Sequence, residues 1–338
     1  MKYKAGNAMR HFRRLVVAGL GAVLIHTTMN RADAADAAPD YPTHTVRIIV
    51  PFPAGGTADV LPRIVAQYLG KRWNQPVVVE NKTGAGGNIG AAYVATSAPD
   101  GYTLLASPPG PLAINDSLYK PQSLGFKPAD LMPITVLGTV PNVLDVRPGF
   151  PAKTAQELIA YAKANPGKVS FASQGNGSTS HLTGILFQKL TGTQMVHIPY
   201  RGTTPALQDI MASQVDLFFD NLGSSLALQG DKLRILATGG NKRDPLLPDV
   251  PTLQEAGVAS FEASTWFAVV APPGTPPAIV QTLNKDITEV LALPEVKQQF
   301  ARIAVEPVGG SIAETTKFFA DEHDKWRDVI AGAKISVE

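Results

Sequence analysis

The sequence predicts an α/β fold of two lobes. Three observations carry this: short runs rich in β-branched residues, helical runs between them, and two longer extended runs that a simple doubly wound sheet does not accommodate. The strand-like runs are 46–52, 77–80, 102–106, 169–173, 195–199 and 215–219. Their alternation with helices is the pattern of βαβ units, so each lobe is expected to be a mostly parallel sheet flanked by helices.

Before the first strand, Arg10, Arg13 and Arg14 precede an apolar run from Leu15 to Ile25, followed by the small-residue segment Ala32–Ala37. This reads as a secretory signal peptide over residues 1–35, which places the protein in the periplasm. The apolar run is too short to span a membrane, and no later stretch is longer without a charge or proline. The first 34 residues carry +5 of a chain total of +2, so the remainder is −3. A weakly acidic chain without a basic stripe is a poor nucleic-acid or anionic-membrane binder. With 44% hydrophobic and 17% charged residues the chain is not disordered, and the lack of cysteine excludes a disulfide scaffold or a thiolate metal site.

The helices carry their own start signals. Thr154 with Glu157 and Ser311 with Glu314 read as capping boxes, and Thr204-Pro205 and Thr275-Pro276 read as an N-cap followed by proline at the first helical position. Leu61, Ile64, Val65, Tyr68 and Leu69 form one apolar helix face; Ile279, Leu283, Ile287 and Val290 form another. The long runs 134–146 and 261–271 read as two crossover strands. They divide the chain into a discontinuous first lobe, 36–140 plus 266–338, and a second lobe, 141–265, with a cleft between.

Three strands run directly into glycine-rich turns that open helices: 51–59, 81–90 and 174–181. Glycine lets a ligand approach the backbone, and the first amides of each helix are unpaired donors that favour an anion. The dinucleotide fingerprint fails on spacing, because Gly84 and Gly86 are followed by Ile89 where the third glycine is required. Gly70-Lys71 and Gly167-Lys168 lack the following Ser or Thr of a phosphate-binding loop, so neither nucleotide nor other cofactor is expected.

Single residues carry competing readings. Asp59, in the first turn of its helix, either contacts ligand or orders its loop. Tyr200 and Arg201 place an aromatic and a cation where the second lobe faces the cleft, and Arg201 either reaches a second carboxylate or is solvated. Asp220-Asn221 closes a strand and either bonds the ligand or turns the chain. Ser178 or Ser180 with His181 supply the residue types of an exported hydrolase, but no nucleophile elbow surrounds them. His197 and Tyr200 make a weak metal pair. Trp266 and Trp326 read as packing aromatics.

The runs Pro51–Asp59, Gly84–Asn88, Asp100–Leu105, His197–Gly202 and Pro248–Thr252, taken together over nearly the whole chain after the signal, resemble the Bug-type solute receptors of tripartite tricarboxylate transporters. The resemblance implies a type II periplasmic-binding-protein fold whose lobes close on a small organic carboxylate. It implies delivery to the membrane permease subunits, no catalysis, and a monomer. A sensory protein that presents its closed form to a membrane kinase would use the same site. Carried onto this chain, the carboxylate pincer falls on Phe52, Ala54, Gly55, Gly56 and on Gly86, Gly87, Asn88, with Asp59 fixing the first loop. Contacts from the second lobe fall on Ser173, Asn176, Ser178, Ser180, Tyr200, Arg201 and Asp220. Ile185, where relatives often carry Glu, and Asn115-Asp116, in place of Asn-Pro, depart from the pattern and are expected to lie away from the pincer.

Overall fold

A computed structural model describes residues 40–333 and Ser336; the expected signal peptide, 1–35, lies outside the described residues. The strands are β1 Val46–Val50, β2 Val77–Asn81, β3 Thr103–Ser107, β4 Met132–Val146, β5 Ser170–Ser173, β6 Val196–Pro199, β7 Leu217–Asn221, β8 Arg234–Thr238, β9 Ser264–Ala271 and β10 Glu306–Gly309. The helices are α1 Thr57–Trp73, α2 Asn88–Ala95, α3 Asn115–Leu118, α4 Pro121–Leu124, α5 Ala155–Ala164, α6 Thr179–Thr191, α7 Thr203–Met211, α8 Leu222–Ser225, α9 Pro277–Ala292, α10 Pro294–Arg302 and α11 Ile312–Ala333.

The strands lie in the order β2-β1-β3-β9-β4-β7-β5-β6, with β8 and β10 added on β4. At one end β2, β1 and β3 are parallel; at the other, β6, β5 and β7 are parallel. Antiparallel β9 and β4 join them. Strand β4 changes partner midway: Met132 to Pro141 pair with β9, and Asn142 to Val146 pair with β7. It therefore belongs to both halves of the sheet. β4 and β9 occupy the two extended runs seen in the sequence, with bounds shifted by up to three residues. The short strands β8 and β10 have no comparable sequence signal; each is held by antiparallel pairing to β4.

Burial follows the sequence pattern. In β1 every residue but Arg47 is buried, and Leu61, Val65 and Leu69 of α1 pack beneath it. One core gathers Leu144, Leu158, Phe171, Phe187, Phe219 and Phe261; a second gathers Ile49, Leu105, Val136, Trp266 and Val270. A smaller cluster packs Leu182 of α6 against Ile114, Leu118, Trp326 and Ile330. Both buried indoles donate to one acceptor, Glu322 Oε2, at 2.7 Å from Trp266 Nε1 and 3.0 Å from Trp326 Nε1. Ile185 packs against the Phe187 cluster, where an apolar side chain suits its surroundings.

The capping boxes form in their essential bond: Glu157 N donates to Thr154 Oγ1 at 3.2 Å, and Glu314 N to Ser311 Oγ at 3.2 Å. The two proline starts shift. α7 begins at Thr203 with Gly202 as its cap at φ 103°, where a Cβ would meet Pro53 Cδ at 2.9 Å, so close approach rather than capping chemistry sets this boundary. α9 begins at Pro277, because the Thr275 hydroxyl is spent on Pro272 O at 2.8 Å in the preceding turn.

Gly138 of β4 sits under the chain entering β10: a Cβ there would meet Val305 Cγ1 at 2.6 Å and Glu306 O at 2.7 Å. Gly138→Ala is expected to cost about 1–3 kcal/mol by overpacking against backbone. Urea denaturation measures this, and an unchanged midpoint would remove the argument.

Candidate functional site

Four helix starts meet where the two halves of the sheet face one another. α1 follows β1, α6 follows β5, α7 follows β6 and the short α8 follows β7, so the carboxyl ends of strands from both halves aim their helix amides at one place. Asp59 N and Val60 N bond to Gly56 O, while the amides of Thr57 and Ala58 have no acceptor among the described residues. The same holds for Thr179 and Ser180 of α6 and for Thr203 and Thr204 of α7. These starts enclose a cavity of about 30 Å³, room for one or two waters, with Gly56, Ala58, Thr179 and Thr203 in its wall. Among the described residues, no charged side chain lines it.

The first loop is held from below. Asp59, 3% exposed, receives Gly55 N at 3.1 Å, Asn81 Nδ2 at 2.9 Å and Arg63 Nε at 3.0 Å. Burial alone would raise its pKa, but the Arg63, Asn81 and Gly55 bonds outweigh it and hold the carboxylate below the usual range. Asn81 Nδ2 also donates to Phe52 O at 2.8 Å. The Asp59 carboxylate is thus engaged in ordering its loop.

The second loop passes through positive φ at Gly84, Ala85, Gly86 and Gly87. A Cβ on Gly86 would meet Tyr119 Oη at 2.6 Å and Asn176 O at 2.9 Å, so this loop touches the third glycine turn directly. Asn115 does not lie away from the pincer: its Nδ2 donates to Asn88 Oδ1 at 2.6 Å and to Gly86 O at 3.1 Å. A buried turn over Gly110–Ile114 returns the chain from β3 to this point, which the sequence did not signal. Further bonds join the halves: Tyr119 Oη donates to Asn176 O at 3.2 Å, and Thr57 Oγ1 lies 3.2 Å from Ser224 Oγ. Thr204 Oγ1 donates to Ala54 O at 3.5 Å.

Of the residues singled out from sequence, Phe52, Gly56 and Ser178 line the interior cavity. Phe52, Gly86, Gly87, Tyr200 and Arg201 line an open cavity of about 420 Å³ on the other side of Phe52 and Pro53. Tyr200 Oη donates to Asp209 Oδ2 at 2.7 Å and its pKa is pushed up to about 12, by burial first and then by Asp209; Arg201 is exposed. Ser173, Ser180 and Asp220 are fully buried behind the walls. Ser173 Oγ lies 2.7 Å from His197 Nε2. Ser178 Oγ donates to Gly175 O at 2.7 Å and accepts His181 N at 3.2 Å, so it caps α6. His181 Nδ1 faces Gly177 N at 3.4 Å and not a serine hydroxyl.

Sequence reasoning passed over Gln174, Thr203, Thr265 and Phe267, all in the cavity wall. Gln174 lay inside the third glycine motif, and Thr265 and Phe267 share one face of a crossover strand by simple alternation, so both signals were present. Asp220 and Asp145 form a fully buried pair bridged by Ser225 Oγ, which donates to Asp145 Oδ2 at 2.5 Å and lies 3.3 Å from Asp220 Oδ2. Burial raises the pKa of Asp220 to about 7; burial and then the facing Asp220 raise that of Asp145 well above the usual range.

His181 and His197 stack with ring centroids 4.1 Å apart. Burial lowers His181 to about 4, and burial with the neighbouring His181 lowers His197 to about 3. Below pH 6.5 the unfolded chain takes up protons these rings refuse, so folding stability falls as pH drops, by up to about 1.4 kcal/mol per unit per ring. Asp220 acts oppositely: the folded state holds its proton through the window from about 4 to 7, so stability is lost as pH rises through it, and the raised Asp145 acts in the same direction. The two slopes offset one another in the native protein. In a His181→Gln/His197→Gln variant the carboxyl slope is expected to stand alone, making the variant relatively more stable at pH 5 than at pH 7. Denaturant titrations at both pH values test this, and a profile parallel to the parent's would refute it.

The chain is similar to known proteins in sequence and in fold. Residues 61–335 match the sequence profile of the tripartite tricarboxylate transporter family receptor. Protein BugT of Bordetella pertussis is 42% identical over 300 residues, covering 87% of this chain and 91% of that protein. The solved structure of R. palustris Rpa4515 with adipate is 37% identical with a TM-score of 0.85, covering 88% of this chain and 99% of the other. MatC from Rhodopseudomonas palustris, solved with bound malate, is 31% identical with a TM-score of 0.80, covering 86% and 100%. The fold, a sheet with flanking helices, is that of the periplasmic binding proteins. This chain belongs to the tripartite tricarboxylate transporter receptor family, of the Bug type.

Proposed function

We propose that the protein captures a small organic carboxylate between two hinged lobes and hands it to the membrane permease of a tripartite tricarboxylate transporter. The lobes are 36–140 with 266–338, and 141–265. Residues 1–35 direct export to the periplasm, and the receptor acts as a monomer. One observation carries the reading: unpaired amides from three helix starts surround a cavity with no cation in its wall. An anion completes those amides, and an interior without a fixed cation relies on amides and helix dipoles to hold it.

The magnitudes are of the right order. A partly buried helix start favours an anion by up to about 2 kcal/mol, and each charge-assisted amide bond adds about 1.5–3 kcal/mol. Two or three such bonds with the helix dipoles amount to roughly the 8 kcal/mol of micromolar affinity before ordering costs are subtracted. The halves are bonded at Tyr119–Asn176 and Thr57–Ser224 around room for one or two waters, so a diacid enters only as those bonds part and the hinge opens. The adipate and malate of the related structures are carboxylates of this kind. The assignment involves no catalytic step, and Ser178 is engaged in capping α6.

Calorimetry with a carboxylate panel tests the reading, together with thermal shift, where ligand at a hundred times Kd adds about 2.7 kcal/mol. Gly56 has an ordinary φ of −85°, and a Cβ there would meet Thr203 Oγ1 at 3.3 Å. Gly56→Val is expected to leave the unliganded melting temperature within a few degrees while weakening carboxylate binding at least about tenfold, by obstructing the amides of α1 and α7. Unchanged affinity in that variant, or turnover of a carboxylate ester, would overturn the assignment.

A further inference from the structure

The cavity wall is rich in donors, and two side-chain amides stand among them, Asn221, whose Oδ1 accepts from Asn142 Nδ2 at 3.5 Å, and Gln174. Gln174, half-buried at the end of β5, lines both the interior and the open cavity. Its Nε2 has two hydrogens and two acceptors: Asp220 Oδ1 at 2.8 Å and Thr203 Oγ1 at 3.1 Å. Its backbone carbonyl is fixed as well, accepting Gly202 N at 3.1 Å. The side-chain Oε1 has no partner among the described residues. Neighbouring hydroxyls are already engaged, with Thr179 Oγ1 and Thr265 Oγ1 2.6 Å apart and Ser178 Oγ on Gly175 O.

The amide orientation follows from chemistry. Turned over, Gln174 would set Oε1 against Asp220 Oδ1 at 2.8 Å, two acceptors in a buried site. Oδ1 remains an acceptor even if the carboxyl is protonated, provided the proton sits on Oδ2, the oxygen that faces Ser225 and Asp145.

Resting on the carboxylate reading above, we infer that Gln174 Oε1 is a specificity-determining acceptor, so that the cleft selects carboxylates bearing a hydroxyl or ammonium donor over unsubstituted dicarboxylates of the same length. An unsubstituted chain leaves Oε1 desolvated and unpaired, and a hydroxyl or ammonium satisfies it. Asp220 and Thr203 are positioning residues that act through Gln174.

Matched series separate the possibilities, because members differ only at one carbon: succinate, malate and aspartate, and glutarate, 2-hydroxyglutarate and glutamate. By calorimetry on the full chain, the donor-bearing member of a series is expected to bind about tenfold tighter than the plain diacid, the effect of satisfying one otherwise unpaired acceptor. Gln174→Met, similar in volume and without the oxygen, should bring that ratio to near one. Gln174→Glu should raise the preference for the amino acid over the plain diacid. Thr203→Val should narrow the ratio and Thr203→Ser restore it, a pattern that a purely structural role for the hydroxyl would not produce. A ratio near one in the native protein, or one that survives in Gln174→Met, overturns the inference and leaves the carboxylate reading standing. Absence of binding by every acid in both series overturns the two together.

Discussion

A helix cannot satisfy its own first amides, and in this protein that constraint leaves unpaired donors around one interior cavity. Glycine turns after β1, β5 and β6 bring three such starts to one cavity, and those of α1 and α7 carry no side-chain cap. Only at α6 does a side chain cap the helix, and Ser178 there takes His181 N, leaving Thr179 and Ser180 uncovered. The donors survive unpaired because the loops that hold them are fixed elsewhere. Asp59, Arg63 and Asn81 brace the loop after β1, and Ser178 Oγ on Gly175 O closes the loop after β5.

The same region carries an unusual density of buried titratable groups. Asp145 and Asp220 share one serine hydroxyl without a cation, and His181 stacks on His197 within the same half of the sheet. Burial drives each kind of group toward its neutral form, raising the carboxyls and lowering the imidazoles. Neutral groups behind the cavity wall keep fixed negative charge away from the unpaired amides, in a region where low dielectric would make such a charge strongly felt. Asp220 Oδ1 accepts from Gln174 Nε2 and Thr203 Oγ1, and Gln174 Oε1 has no partner among the described residues.

The class of fold was legible because burial imposes period on sequence: Val46 to Val50 and the Leu61, Val65, Leu69 face report their environments directly. The glycine loops were legible as a set, and the capping boxes at Thr154 and Ser311 formed. Local signals failed where a distant contact decided the outcome. Gly202 replaced Thr204 as a helix cap because Pro53 packs against it, and Asn115 reached Gly86 through a turn that no pattern announced.

From the amino acids alone came the strand and helix alternation, the two crossover runs, the three glycine turns and the family resemblance, all of which depend on residue type and near-neighbour spacing. Only the tertiary structure decided which of those turns share a cavity, that Tyr200 and Arg201 face a separate opening, and that Gln174 rather than Ser180 stands in the wall. The reason is that β4 passes from one half of the sheet to the other, so cavity neighbours such as Gly56, Thr203 and Thr265 are far apart in sequence and are set by register and twist, which no short window of residues encodes.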